Sequence, residues 1–333
     1  MSRIKVALVG AGGWGYQHAR VFSARDDVAL CAVAGRTEER TKARAEQFDL
    51  RYYLDIEEML TAEKPDLVSV SLPNLGHYEP TLKVIRAGYP LLVEKPLVFD
   101  LAEAETLLRE AEARDLFFAI NFNHRYAKPA QMAKAAIEEG RLGQLVFATW
   151  LFGGEGSCEH HPHANLIETQ CHGFDMLEHF CGPIASVQAE MTDMTGKGYS
   201  TMALSLKFAN GAVGSLVGSY DSSYSYTETS RVVVNGTQGR ILIDDTVKRF
   251  AIHRVGEEMG QIWEAGYFND PEREFHRTFD RYLDPMLDSF KRGAEPPVHA
   301  RAGQRALALA WAAIESYETG RRVDATDSVS RGR

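Results

Sequence analysis

The chain has 333 residues, of which 44% are hydrophobic and 25% charged, and its formal net charge is −9. A chain of this length exceeds what one hydrophobic core usually organises, so two domains are expected, and an acidic balance without a basic cluster argues against a nucleic-acid partner. No apolar run is long enough to cross a bilayer, and Ile4-Lys5-Val6-Ala7-Leu8-Val9 begins a strand-like run where a leader's apolar stretch would stand, so a cytoplasmic protein without a membrane partner is expected.

Through residue 123 the pattern alternates. Strands are predicted at Ile4–Gly10, Val28–Ala34, Asp66–Ser71, Leu91–Val93 and Phe117–Asn121, with helices around Tyr16–Ala24, Glu38–Phe48, His77–Ala87 and Ala102–Arg114. Gly88 is placed to stop one helix and Asp100 to cap the next. Strand and helix in alternation imply an α/β fold with a doubly wound parallel sheet covered on both faces.

Gly10-Ala11-Gly12-Gly13-Trp14-Gly15 follows the first strand and opens a helix. At this spacing Gly10 permits the tight turn, Gly12 lets a pyrophosphate approach the backbone, and Gly15 allows close helix–strand contact. Gly13 and Trp14 fall in the first turn, where free amides and the helix dipole favour phosphate. The strand–turn–helix context makes dinucleotide binding the expected role. At the end of the second strand an acidic residue would hold the ribose 2′-hydroxyl of NAD, but the chain reads Ala34-Gly35-Arg36-Thr37. Arg36 and Thr37 suit a 2′-phosphate, so NADP is favoured and NAD remains possible. The alternative reading makes Arg36 a solvated residue before a helix.

After residue 123 the texture changes. A helix at Pro129–Glu139 stops at Gly140, a strand follows at Leu145–Phe152, and a helix is predicted over 167–181. Strands come next at Ser186–Thr192, Thr201–Phe208, Val213–Ser219, Arg231–Val234 and Arg240–Ile243, punctuated by Asn210-Gly211 and Asn235-Gly236. Helices return at Glu274–Arg292 and Ala302–Thr319. The expected division is 1–123, a dinucleotide-binding domain, and 124–333, an α+β domain with a large, mostly antiparallel, open-faced sheet.

Glu94-Lys95-Pro96 closes the strand Leu91–Val93, at the carboxyl edge of the parallel sheet, where ligands bind in such folds. With the glycine turn, Pro73-Asn74 and His77, Asn121-Phe122-Asn123-His124-Arg125-Tyr126, the segment leading to His172, Gly236-Thr237-Gln238-Gly239 and the closing Tyr317-Glu318-Thr319-Gly320-Arg321-Arg322-Val323, the chain resembles the glucose–fructose oxidoreductase, inositol dehydrogenase and rhizopine-catabolism (Gfo/Idh/MocA) family over nearly its whole length. The resemblance implies a Rossmann domain, an open-faced sheet domain and an active site between them. It implies Lys95 and His172 as the catalytic pair, and a third catalytic position four residues before the histidine. That position is usually Asp and is Glu168 here, with Gln170 where Gly is common. It places Pro73, Asn74, His77, Glu94, Lys95 and Asn123 against the cofactor. Lys95, Asn123, Arg125, His163, Glu168 and His172 are placed against the substrate, a polyol or its keto form.

In Leu166–Cys181 the apolar positions recur at helical spacing, and Glu168, His172, Asp175 and His179 share a polar stripe. Alone, such a stripe reads as a solvated face. The resemblance draws His172, and with it Glu168 and Asp175, to the active site, while His179 lies too far along. Glu168 has two open roles, orienting substrate or fixing the imidazole. Arg125 also has two, shaping the pocket or forming an interdomain ion pair. Cys158, His160, His161, His163, Cys171 and His172 crowd one stretch but match no standard zinc signature, so a substrate-facing loop is expected and no metal. Cys31, Cys158, Cys171 and Cys181 show no paired spacing, which fits free thiols.

The expected activity is therefore an NAD(P)-dependent hydride transfer at a CH–OH or carbonyl carbon of a sugar, sugar derivative or cyclitol. Two rivals are a glycoside-processing enzyme with a retained, transiently reduced NAD and a nucleotide or sugar sensor without catalysis. A zinc-dependent enzyme is a third. The open sheet face, borne by Val213–Ser219 and Thr201–Phe208, points to a homodimer or homotetramer.

Overall fold

The computed structural model describes residues 3–266, 268 and 270–326. The chain forms two compact units. The first runs to Phe122 and takes in Phe279–Gln304; the second holds Asn123–Thr278 and the described residues from Arg305 to Thr326.

In the first unit, strands β1 (Ile4–Val9), β2 (Val28–Ala34), β3 (Arg51–Tyr53), β4 (Leu67–Val70), β5 (Leu91–Val93) and β6 (Phe118–Ile120) form a parallel sheet in the order β3-β2-β1-β4-β5-β6. The order reverses beside β1, and such a switch point opens a crevice at the carboxyl ends of the strands. β4, β5 and β6 are buried at every position, as strands covered by helices on both faces must be. The crossover helices include Gly13–Ser23, Glu38–Phe48, Tyr78–Arg86 and Leu101–Glu112. Asp100 caps the last of these, accepting hydrogen bonds from the amides of Ala102 and Glu103. Gly88 ends its helix with φ +82°.

In this unit β3 and the helix Ile56–Glu63 went unforeseen. Asp55 caps that helix through the Glu58 amide, and the Asp55-to-Glu58 spacing is a capping-box signal present in the sequence.

The expectation that everything after residue 123 forms one domain does not hold for 279–304. Ile120 donates to the carbonyl of Val298 and Ala300 donates to that of Phe118, so this segment pairs antiparallel with the outer edge of β6. The helix Arg277–Lys291 buries Tyr282, Leu283, Met286 and Leu287. Its Asp280 and Asp284 meet Arg20 and Arg25, and Lys291 meets Asp27.

The second unit is built on β7 (Leu145–Gly153), β8 (Ile184–Thr192), β9 (Thr201–Phe208), β10 (Val213–Ser219), β11 (Ser230–Gly236), β12 (Gly239–Asp244), β13 (Arg249–Arg254), β14 (Gln261–Glu264) and β15 (Val323–Asp324). Their order is β14-β13-β12-β11-β7-β10-β9-β8-β15. Only the β7–β10 pair is parallel among these neighbours. β9 shows the period-2 alternation that identified it: Met202, Leu204, Leu206 and Phe208 are buried, while Ala203, Ser205 and Lys207 are exposed. The helices Lys128–Glu138 and Cys171–Cys181 pack against the sheet. No helix among the described residues is long and apolar enough to cross a membrane, and the four cysteines are free thiols.

Candidate active site

Each unit carries one group of the expected residues. In the first, Gly10 has φ +121°, and a Cβ there would lie 1.8 Å from the Ser71 carbonyl oxygen. A Cβ on Gly15 would meet the Gly10 carbonyl oxygen at 2.2 Å, whereas Gly12 and Gly13 face open space. The turn is thus closed where helix and strands approach and open where a ligand would. Glycine at the N-cap, Gly12, gives the helix Gly13–Ser23 no side-chain cap hydrogen bond, and a helix N-terminus favours an anionic group.

Beside the turn lies a cavity of about 310 Å³ lined by Val9, Ala34, Gly35, Arg36, Leu54, Ile56, Leu72, Pro73, Gly76, Glu79 and Pro80. A mostly apolar cleft with a cation at its rim suits an adenosine moiety, and these residues fit a dinucleotide cofactor. Arg36 and Thr37 are exposed there, and Pro73 and Asn74 lie on the loop after β4. Trp14 is partly exposed on the first helical turn. Arg44, which sequence reading passed over, lies over the Tyr16 ring at 4.9 Å and reaches the carbonyls of Ala11 and Gly12.

Glu94 and His77 are buried and committed to the protein itself. His18 Nε2 lies 2.9 Å from Glu94 Oε1, Asn121 Nδ2 donates to the same oxygen at 2.6 Å, and the Lys95 amide donates to Oε2 at 3.3 Å. Burial pushes the Glu94 pKa up, but the bond and charge of His18, with Asn121 and Lys95, hold it below the usual carboxylate range. His18 Nδ1 meets Ser69 Oγ at 2.6 Å. The Ser69–His18–Glu94 chain has the connectivity of an acyl-transfer triad. Ser69 and His18 are fully buried, however, so no carbonyl substrate reaches that hydroxyl. The network instead fixes the backbone at which Lys95 emerges. His77 ties the loops after β4 and β5 together, with Nδ1 2.8 Å from the Pro96 carbonyl oxygen and Nε2 2.8 Å from that of Leu72. Neutral His77 donates one of these bonds and the imidazolium both; burial pushes its pKa down.

In the second unit the predicted single helix over 167–181 is two pieces. A π-helical turn spans Asn165–Thr169, with the Gln170 amide donating to the Asn165 carbonyl, and the α-helix starts at Cys171. Such turns re-aim side chains and concentrate at functional sites. The stripe read as a solvated face is largely buried: Glu168 is 7%, His172 6% and Asp175 5% exposed. Glu168 pairs with His160 at 2.5 Å. His172 stacks on His124, with ring centroids 3.9 Å apart and planes 20° from parallel. Arg125 Nε and Nη2 donate to Asp175 Oδ2 and Oδ1 at 2.8 and 2.6 Å. Arg125 thus forms an ion pair whose two partners belong to the same unit. Burial pushes the Asp175 pKa up, against the pull of Arg125.

Asn123 Nδ2 donates to Thr278 Oγ1 at 2.7 Å. His163 stacks on Tyr199 at 4.8 Å, and burial lowers its pKa to about 4. His179 is likewise pushed down to about 3 by burial. Among the described residues no three His, Cys, Asp or Glu side chains converge on a metal position. Besides Arg44, sequence reading missed His18, Ser69 and Tyr199, and it gave no role of their own to Asn121 and His124, which stood inside the motif Asn121–Tyr126.

The family model described as "Oxidoreductase family, NAD-binding Rossmann fold" matches residues 4–122, and "Oxidoreductase family, C-terminal alpha/beta domain" matches residues 134–325. The chain is 25% identical to the myo-inositol 2-dehydrogenase of Thermotoga maritima over 96% of this chain and 98% of that one. It is 33% identical to the D-glucoside 3-dehydrogenase of Escherichia coli over 44% of this chain and 43% of that one. Its fold matches an oxidoreductase from Agrobacterium radiobacter, solved with NAD+, L-tartaric acid and magnesium, at TM-score 0.87 and 21% identity, covering 97% and 99% of the two chains. With both halves matched in order, the chain belongs to the Gfo/Idh/MocA family of oxidoreductases.

Proposed function

We propose that this oxidoreductase interconverts a CH–OH group and a carbonyl on a sugar, sugar derivative or cyclitol, with Lys95 and His172 as its catalytic residues and NADP as its preferred cofactor. The observation that carries the reading is the glycine turn, closed by backbone at Gly10 and Gly15 and open at Gly12 and Gly13. The printed activities of the inositol and glucoside dehydrogenases support the substrate class.

A nicotinamide cofactor, which the glycine turn Gly10–Gly15 and the cleft at Arg36 would hold, would supply the hydride acceptor or donor. The chain's own residues handle the proton. In the oxidising direction His172 takes it from the substrate hydroxyl; an imidazole, with an ordinary pKa near ~6.5, suits that exchange at neutral pH. Lys95 donates a hydrogen bond to the same oxygen and stabilises its developing negative charge. The buried Glu94–His18–Asn121 network holds the Lys95 backbone. Glu168, bonded to His160, orders the loop ahead of the π turn and thereby the substrate side of His172. Exposed Arg36, with Gly35 in the place of an acid, supports NADP over NAD. We also infer a homodimer or homotetramer, since the open face of the second sheet exposes Leu151 and Val213. A monomeric mass by light scattering at micromolar concentration would remove that inference.

The test is an absorbance screen at the nicotinamide band, with NADP and NAD in parallel, against sugars, cyclitols, sugar acids and their keto forms. Turnover with one polyol class, faster with NADP, is the expected result. Silence across the panel from a protein that binds nucleotide in thermal shift would overturn the simple dehydrogenase and favour a retained cofactor or a sensor.

A further inference from the structure

Arg44 has no role in the scheme above, yet its place beside the glycine turn is closely specified. It lies on the helix Glu38–Phe48, and its guanidinium carbon sits 4.9 Å from the centroid of the Tyr16 ring on the helix Gly13–Ser23. Tyr16 in turn packs against Phe48, with centroids 5.7 Å apart. From that shelf Nη2 donates to the carbonyls of Ala11 and Gly12 at 3.4 and 3.3 Å, and Nη1 donates to the Gln47 side chain. The two carbonyls belong to the turn whose Gly12 and Gly13 face open space.

The charge of Arg44 is unmatched. Arg25, Arg51, Arg86 and Arg114 of the same unit each reach a carboxylate. Arg44 forms no ion pair among the described residues, and its Nε is buried without a hydrogen-bond partner. Burial pushes its pKa down, opposed by Tyr16. Taking a cation partly out of water without a counter-ion is unfavourable, and groups so perturbed concentrate at functional sites.

The chemistry of the turn names the missing counter-ion. Peptide carbonyls carry partial negative charge and repel an anion seated on amides of the same turn. A guanidinium on the carbonyl side offsets them, and it adds a full positive charge to the partial one at the helix N-terminus. Stacking on Tyr16 holds the planar guanidinium in one orientation, so little freedom is left to lose when an anion arrives.

We propose that Arg44 is a positioning residue of the dinucleotide site: it fixes the glycine turn by its carbonyls and supplies the positive charge that balances a diphosphate on that turn. This rests on the reading of the turn as the cofactor site. The role differs from that of Arg36, which lines the neighbouring cleft and is proposed for the 2′-phosphate.

The test uses the full-length protein with Arg44→Met, which keeps an unbranched side chain and loses the charge, and Arg44→Lys, which keeps the charge. Both replacements are good helix formers. ADP and adenosine are titrated separately as competitors of NADPH fluorescence, at low and high salt, and NADPH and NADH are titrated directly. At low salt Arg44→Met is expected to weaken ADP by about tenfold, the worth of one charge-assisted contact, and adenosine by less than about twofold. High salt narrows the gap between native and Arg44→Met for ADP, because ions screen a partly exposed charge. Arg44→Lys recovers ADP binding to within about threefold of the native protein. NADPH and NADH weaken together in Arg44→Met, so their ratio stays as in the native protein.

Equal losses for ADP and adenosine reduce Arg44 to a packing residue and overturn the proposal, as does unchanged ADP affinity in Arg44→Met. A loss confined to NADPH moves Arg44 to the 2′-phosphate and overturns it as well. Failure of the native protein to bind either ADP or NADPH instead overturns the dinucleotide reading itself, and the two failures are thereby told apart.

Discussion

Arg125→Ala tests whether the ion pair that joins Arg125 to the helix Cys171–Cys181 is structural. Arg125 spans Asp175 with two hydrogen bonds of 2.8 and 2.6 Å, and the Asp175 side chain is only 2% exposed. Removing the guanidinium leaves a carboxylate enclosed in protein, a change that costs about 3–5 kcal/mol when a buried pair is broken. For a domain of this size that corresponds to a fall in Tm on the order of 10 °C. The loss should depend on pH. Burial already pushes the Asp175 pKa up and Arg125 opposes this, so without Arg125 the folded-state value rises further above the unfolded one. Between those two values the native variant binds a proton that the unfolded chain does not, and its stability increases as pH falls. Urea unfolding followed by circular dichroism at pH 8 and pH 5 should therefore show the larger deficit at pH 8, and adding Asp175→Asn should recover most of it. A deficit below about 1 kcal/mol, or one equal at both pH values, would refute the reasoning.

Three further outcomes are expected. Lys95→Ala and His172→Ala should each lower kcat by about 10²–10⁴-fold while the dissociation constant for the dinucleotide, measured by fluorescence quenching, changes little. Arg36→Ala should weaken NADPH by about 10–100-fold, the worth of a charge-assisted bond, and NADH by much less; equal losses for both would remove the NADP preference. Gly10→Ala places a Cβ 1.8 Å from the Ser71 carbonyl oxygen at a positive φ, so it should abolish dinucleotide binding and lower the melting temperature, whereas Gly13→Ala, with open space around it, should fold normally.

The parts of the fold legible in the sequence were those written in local chemistry. Gly10 to Gly15, the Asp100 cap, the Asn210-Gly211 turn and the alternation along β9 each signal their own conformation. Elements whose existence depends on distant partners were not legible. β3 is three residues long and stands on its pairing with β2, and β15, two residues long, is recruited by the distant β8. In the candidate site, Lys95 and His172 are proposed from motifs. The π turn was invisible because a continuous helical period fits Leu166–Cys181 equally well. Arg125–Asp175 and His18–Glu94 join residues 50 and 76 positions apart, and no spacing rule reaches that far. The stripe through Glu168, His172 and Asp175 looked solvated because periodicity records polarity and not what packs against it.

The return of 279–304 to the first unit also governs the order in which the protein can be finished on the ribosome. Val298 pairs with Ile120 across roughly 180 residues of intervening chain, an interval of about 10–35 s at common elongation rates. Until that segment emerges, β6 is a bare sheet edge, and the surface that Phe279, Tyr282 and Met286 bury is open to other nascent chains. A fragment cut at residue 123 would keep that exposure permanently, so an isolated nucleotide-binding half should carry 279–304 on a linker.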